Sequence, residues 1–511
     1  MNRLIQIIIL LGLACPAFAQ RSIQFGAFEL PADGNVVIPM SAGDNLSGLA
    51  AMLDERTQGA IAIAAKEAGF TGEKDSALTL YGVKPYSRID VVGVGAESLD
   101  RVAAENYGGT AASLNDGASG TPVNVLWDDS DTGAAHVAFG YRLGDYRFDR
   151  YHEDRLDSKE LGNVTILSSD AAAALRFNDD LVHLAAAVYL ARDFSSEPGN
   201  VIYPQSFVDR VRSEYEGLRN VTIKVLDEKD LQRKGMGAHM GVGGGSSRPP
   251  RLLIIEYMAG GDAPTVVLAG KGITFDSGGV SLKDNENMWR MKGDLGGAAA
   301  VSATVLAAAR RGAKVNVVAL AALAENMPSG TAIRPGDVLT SMSGKTIEIS
   351  STDAEGRLVL SDAVHYGQLE YSPSVLIDVA TLTGTVSRAL GTDYAGVFSR
   401  HDDLAAALME AGNSAGESMW RLPLDPTHFE QIESRVADVI NGGVRGAGAS
   451  IGAAFIGTFV DEKQVWAHLD IAGVDYLEEP RPTVPAGFSG WGVRALDEYL
   501  RRNHETTSRA R

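Results

Sequence analysis

An α/β architecture, with a mainly parallel central sheet covered by helices, is predicted for this chain of 511 residues, on three observations. Strand-like apolar runs alternate with helical stretches along most of its length. Runs such as "TVVLAG" and "KVNVVALAALAE" are apolar without alternation, as strands buried on both faces are. The length exceeds the roughly 250 to 300 residues at which single cores stop growing, so two domains are expected.

Residues 1–19 read as a cleavable signal peptide. Arg3 supplies the positive start, Leu4 to Ala14 an apolar stretch broken only by Gln6 and Gly12, and Ala17-Phe18-Ala19 a small-residue cleavage site. That reading implies export, to a bacterial periplasm or beyond. The stretch is too short to span a bilayer comfortably and no later segment is longer, so no membrane span is expected. Cys15 is the single cysteine. A mature chain without it holds no thiol, which excludes a cysteine nucleophile, a disulfide framework and a thiolate zinc site together.

Residues 20–185 are expected to form a smaller α/β domain. Its strands are "NVVIP", "RIDVVGVG" and "VNVLW", and "NLSGLAAMLDERTQGAIAIAAKEAG" is helical. Its charged tail, "YRFDRYHEDRLDSKEL", reads as a solvated or inter-domain segment. Residues 186–511 are expected to form the second domain, the helical "DDLVHLAAAVYLARDFSSEP" running across the boundary from about residue 180. The strands "TIKVLD", "RLLIIEYMA", "TVVLAG", "KVNVVALAALAE" and "SVLIDVATLTG" follow, with the helix "GGAAAVSATVLAAARRGA" among them. The formal charge of −19 disfavours a nucleic-acid partner, because phosphate contacts need clustered Lys and Arg.

Three charged stations stand where strands are expected to give way to loops. In "KGITFDSGG", Lys271 follows an apolar strand and Asp276 precedes a glycine pair able to turn sharply. In "WRMKGDLGG", Asp294 precedes a helix of small residues. In "STDAEGRL", Asp353 and Glu355 stand two apart, on one face if the segment is extended. Four carboxylates converging at strand ends repel each other unless a cation is bound. An oxygen-rich donor set without cysteine suits Zn, Mn or Mg, and carboxylates can bridge two such ions. A lysine buried beside cations loses its proton more readily and becomes a nitrogen ligand or an acid/base group. Taken singly, each station reads equally as a salt bridge or a helix cap.

"STDAEGRL", "GKGITFDSGGVSLK", "MKGDLGGAAAV", "DVATLTG" and "WAHLDIAG", in that family's order, resemble the dinuclear zinc leucyl aminopeptidases over about residues 180–495. The family octapeptide begins with Asn where Ser351 stands. The resemblance implies a macro-domain-like N-terminal part and a catalytic domain at 186–511. It further implies that Lys271, Asp276, Asp294, Asp353 and Glu355 bind two divalent ions, Zn or Mn. Asp276 and Glu355 would bridge them, Lys271 and Asp294 would serve the tighter site, and Asp353 the more exchangeable one. Lys283 matches the catalytic lysine, and Arg357 the arginine that holds a bicarbonate acting as general base. The implied activity is release of N-terminal residues, leucine-like preferred, from peptides with a free amine, by a homohexamer.

By the same resemblance, Met291 and Ala380 to Gly384 correspond to parts of that family's substrate pocket. Bulky Phe488 and Trp491 replace small residues in a C-terminal turn, which shifts the side-chain preference if that turn borders the pocket. His468, on an apolar strand, reads as a core residue rather than a ligand. Two other readings compete: a binding protein with a vestigial site, and a different dinuclear hydrolase, which would more commonly use histidines.

Overall fold

The computed structural model describes residues 20–505 apart from 44–45, 96–99, 117–119, 128–132, 154–160 and 443–447. The segment 1–19 expected to be a signal peptide, with Cys15, and part of the charged tail after residue 153 lie outside the described residues. Two compact units are present, and no helix among the described residues is long and apolar enough to cross a membrane.

The smaller unit comprises the described residues of Met1–Glu97, Thr110–Ala134 and Asp145–Ala171. Its six-stranded sheet runs in the order Ile23–Gly26, Val164–Leu167, Val123–Leu126, Gly34–Ser41, Tyr86–Gly95, Ala77–Tyr81. All pairings are parallel except the last. The helical stretch expected near residue 50 is two helices, Gly48–Arg56 and Ala60–Ala68. Gln58 and Gly59 between them take φ of 59° and 80°, a left-handed turn that ends the first helix.

The larger unit also takes in Ser98–Gly109 and Ala135–Gly144 from the first third of the chain. Glu105 shows why. It is fully buried, and Arg494, 389 residues away, donates to it beside Arg101 and His136. Burial opposes its charge, yet these cations hold its carboxyl at about 2.

An eight-stranded sheet organises this unit. Its four central strands, Trp466–Asp470, Val375–Ala380, Thr265–Asp276 and Asn316–Asn326, are parallel neighbours in that order. Antiparallel pairings occur only outside them, where Ala395–Ser399 meets Trp466–Asp470 on one side and Arg251–Met258, then Val221–Leu226, continue from Asn316–Asn326 on the other. Every residue of Asn316–Asn326 and Val375–Ala380 is buried, as the unbroken apolar runs require. The helix Gly296–Arg310 lies directly on the sheet backbone. A Cβ at Gly297 would stand 2.0 Å from the Val379 carbonyl oxygen and 3.0 Å from the Lys271 nitrogen, so only glycine permits this approach.

His239, in the helix Gly237–Gly243, supplies a pH-dependent part of the stability. It is fully buried, its Nε2 lies 3.0 Å from the Leu323 carbonyl, and its Nδ1 has no partner. Burial outweighs that hydrogen bond and pushes the imidazole down to about 4. An unfolded histidine titrates near 6.5, so as pH falls the unfolded chain takes up the proton first. The contribution is therefore intact above 6.5 and is lost progressively down to 4. Urea unfolding from pH 7 to pH 4 is expected to show the wild type losing about 3 kcal/mol more than His239→Gln. Parallel losses in the two proteins refute this.

Candidate metal centre

The strand Thr265–Asp276 brings both its charged side chains to one cleft. Lys271 and Asp276 are five residues apart, which in a regular strand sends them to opposite faces. Between Ile273 and Asp276, however, three steps pair with only two on the neighbouring strand, from Ala324 to Asn326. This bulge turns Asp276 back to the lysine's side. The glycine pair after it turns as expected, with φ of 86° at Gly278 and 65° at Gly279.

The other two stations are built differently from the expectation that strands precede them. Asp294 follows the 3-10 turn Met288–Gly293 and stands just ahead of the helix Gly296–Arg310. Asp353 and Glu355 do not lie in an extended segment: Asp353 is in a turn, and Glu355 has φ −78° and ψ −35° at the start of the helix Gly356–Tyr371. The strand before them, Thr346–Glu348, belongs to a separate three-stranded sheet. A turn and the helix start, not strand alternation, aim them. Carboxylate oxygens of Asp276, Asp353 and Glu355 all come within 4.8 Å of one another.

Two lysines bind this acidic cluster together. Lys271 Nζ lies 2.7 Å from Asp294 Oδ1 and 2.9 Å from Glu355 Oε1, and donates to the Thr381 carbonyl at 2.9 Å. Lys283 Nζ lies 2.7 Å from Asp276 Oδ2 and 2.5 Å from Asp353 Oδ1. Burial opposes the charge on both lysines, but the surrounding carboxylates outweigh it and hold both pKa values above the ordinary range. Burial and the neighbouring Glu355 push Asp276 up to about 6. Burial also lifts Asp294 well above its usual value and raises Asp353. Glu355 goes the other way, because Lys271 and Lys283 more than offset its burial.

The donor set fits divalent cations. Asp294 Oδ2 and Glu355 Oε2 are buried and accept no hydrogen bond, which is costly unless a cation completes them. The donors are carboxylate oxygens with no thiol, suited to Zn or Mn, and the Lys271 ammonium held among them would become a nitrogen donor only on losing its proton to an arriving cation. A cleft of about 510 Å³ opens over the cluster, lined by Lys271, Asp276, Lys283, Asp294, Asp353 and Glu355.

Arg357 stands apart from that lining. It is buried, its Nη1 donates to the Asn441 carbonyl at 2.9 Å, and its Nε has no partner. Burial pushes its pKa down, with Glu355 and Asp470 opposing. Met291, Phe488 and the loop from Thr381 to Gly384 line the cleft, and Trp491 is not among its lining residues. His468 is in the core, with Nδ1 2.6 Å from Asp378 Oδ1.

Several supporting residues carry no sequence signal. Asn326 Nδ2 donates to Asp276 Oδ1 at 2.8 Å and to the Thr352 carbonyl at 3.0 Å, tying two stations together. Thr381 Oγ1 donates to Asp294 Oδ1 at 2.7 Å. Asp475 also lines the cleft, and burial pushes its carboxyl up to about 7.

Residues 189–497 match a family described as "Cytosol aminopeptidase family, catalytic domain", and residues 37–155 match that family's N-terminal domain. The chain belongs to the cytosol aminopeptidase family. A "Probable cytosol aminopeptidase" of Methylorubrum populi is 42% identical over 92% of this chain and 96% of its own length. One from Caulobacter vibrioides is 41% identical over 94% and 99%. Among solved structures, a tomato leucine aminopeptidase mutant superposes with a TM-score of 0.85 at 30% identity, covering 96% of this chain and 98% of that one. A bottromycin maturation enzyme in complex with Mn gives 0.80 at 31% identity, covering 92% and 99%.

As a member of the cytosol aminopeptidase family, the protein is a metal-dependent hydrolase that removes residues from the N-terminus of peptides, served by two divalent metal ions. The relatives' name points to a cytoplasmic protein and overturns the expectation of export. A short apolar run ending in small residues is too generic a pattern to assign a compartment by itself.

Proposed function

We propose that Lys271, Asp276, Asp294, Asp353 and Glu355 are the ligands of the two metal ions, and that Lys283 and Arg357 serve the chemical step. Convergence of three carboxylates within 4.8 Å carries this reading. Glu355 is suited to bridging, since it reaches both Lys271 and the Asp276–Asp353 group. Asp276, between Lys283 and Glu355, is its counterpart. When bound, the ions supply a water made nucleophilic near neutral pH and a positive anchor for the substrate's free amine. Lys283, part-exposed in the cleft and held charged, donates to the carbonyl oxygen as negative charge develops there. Arg357, outside the cleft lining and with Nη1 held by the Asn441 carbonyl, keeps a partnerless Nε that would help hold a bicarbonate, and that ion would take the proton from the attacking water. Residues 20–185 are the N-terminal domain of this arrangement and 186–511 the catalytic one. Six chains assemble, and sedimentation should find that particle.

Metal analysis tests the ligand assignment. The wild type is expected to retain two equivalents of Zn or Mn, and Asp294→Ala and Asp353→Ala to retain about one each, with Asp353→Ala losing its ion at the lower chelator concentration. Two equivalents in both variants would overturn the assignment. The loaded wild type is also expected to cleave free peptides and to leave N-acetylated ones intact.

A further inference from the structure

One carboxyl group in the cleft has neither a hydrogen bond nor an ion pair among the described residues. Asp475 is 6% exposed and lines the cavity next to the metal cluster. Its backbone is engaged, donating to the Ile471 carbonyl and accepting from the Ser489 N–H. Its carboxylate has no hydrogen bond or ion pair among the described residues; the one cation acting on it, Lys271, is itself paired with Asp294 and Glu355. The cations around the same cleft are already committed: Lys271 to Asp294 and Glu355, Lys283 to Asp276 and Asp353, Arg290 to Glu478. A Cβ at Gly296 would stand 2.5 Å from Asp475 Oδ1, so the glycine leaves the room this carboxylate occupies.

An unpaired buried carboxylate is costly in a finished core. It is tolerated where a ligand brings the missing charge. Part of the wall here is apolar or aromatic, formed by Met291, Leu382, Tyr476 and Phe488 beside polar Asn287, Thr381, Thr383, Ser387 and Thr392, and that part suits a methylene stem ending in a cation. The overall charge of −19 also favours approach of a basic peptide.

We propose that Asp475 sits in the pocket for the substrate's N-terminal side chain and selects a basic residue, lysine or arginine, by pairing with its terminal ammonium or guanidinium. This rests on the aminopeptidase reading and the metal assignment above, and it replaces the leucine-like preference that the resemblance implies.

Lysine and norleucine share a straight four-carbon side chain and differ only by the ammonium, so their aminoacyl p-nitroanilides isolate the pairing. The wild type, loaded with Mn, is expected to favour lysyl over norleucyl substrate by at least about tenfold in kcat/KM. Asp475→Asn and Asp475→Leu are expected to bring that ratio to one or below. A ratio taken within one preparation does not depend on the fraction folded or metal-loaded. Titration calorimetry of free L-lysine against L-norleucine reads the same preference without turnover. Equal or better use of norleucine by the wild type would overturn the proposal, as would Asp475→Asn lowering both substrates together, the mark of α-amine binding. Loss of release from every unblocked substrate alongside selective lysine binding would instead count against the aminopeptidase reading alone.

Discussion

Glu355→Ala lowers kcat/KM for any unblocked peptide by at least about a thousandfold, and the purified variant retains fewer than two metal equivalents. Glu355 is 2% exposed, one oxygen paired with Lys271 and the other buried without a donor. Alanine removes the carboxylate best placed to be shared between the two halves of the centre. It also leaves the Lys271 ammonium buried with Asp294 as its remaining carboxylate partner, an imbalance that breaking a buried pair makes expensive. The damage stays in the site, because Glu355 makes no side-chain cap to the helix it precedes. Far-ultraviolet circular dichroism should therefore be unchanged while metal analysis and turnover fall together. Full metal content with activity within tenfold of wild type refutes the bridging role.

Much of this centre is legible in the sequence because charges stand out in apolar surroundings. Lys271 and Asp276 stand in or at the end of an apolar run, and Asp353 and Glu355 crowd with Arg357 just before the helical run from Leu358; charge placed against apolar surroundings calls for a partner. The same contrast exposes the parallel core of the larger sheet, since strands covered on both faces cannot alternate. What escapes is set by contacts between residues distant in sequence. The bulge that returns Asp276 to the side of Lys271 depends on pairing with Ala324 and Asn326. Thr381 reaches Asp294 across 87 positions, and Asn326 reaches Asp276 across 50. Neither leaves a local pattern. Asp475 is hidden for another reason: in "VDYLEEP" it is one acid among three, and only burial separates it from Glu478, which is mostly exposed and paired with Arg290. The membership of Ser98–Gly109 in the larger unit likewise turns on the buried contact of Glu105 with Arg494.

Lys283→Ala lowers kcat by roughly a hundred- to a thousandfold, the usual cost of one oxyanion donor, while KM changes little and both metal ions stay bound. The alternative is that Lys283 merely neutralises Asp276 and Asp353, which it contacts at 2.7 and 2.5 Å. The two roles predict opposite signs in a second measurement. Removing a counter-ion frees two carboxylates for a divalent cation, so metal affinity should rise and turnover should hold or improve. Removing an oxyanion donor leaves the metal ions in place and takes away an interaction made only as the carbonyl oxygen becomes negative, so kcat falls alone. Lys283→Arg sharpens the contrast. It keeps the charge, but a planar guanidinium replaces a compact ammonium; as a counter-ion it would serve nearly as well, whereas as a donor to one developing oxygen it should recover only part of the loss. A Lys283→Ala enzyme that binds metal more tightly and turns over at the wild-type rate would show the lysine to be a counter-ion.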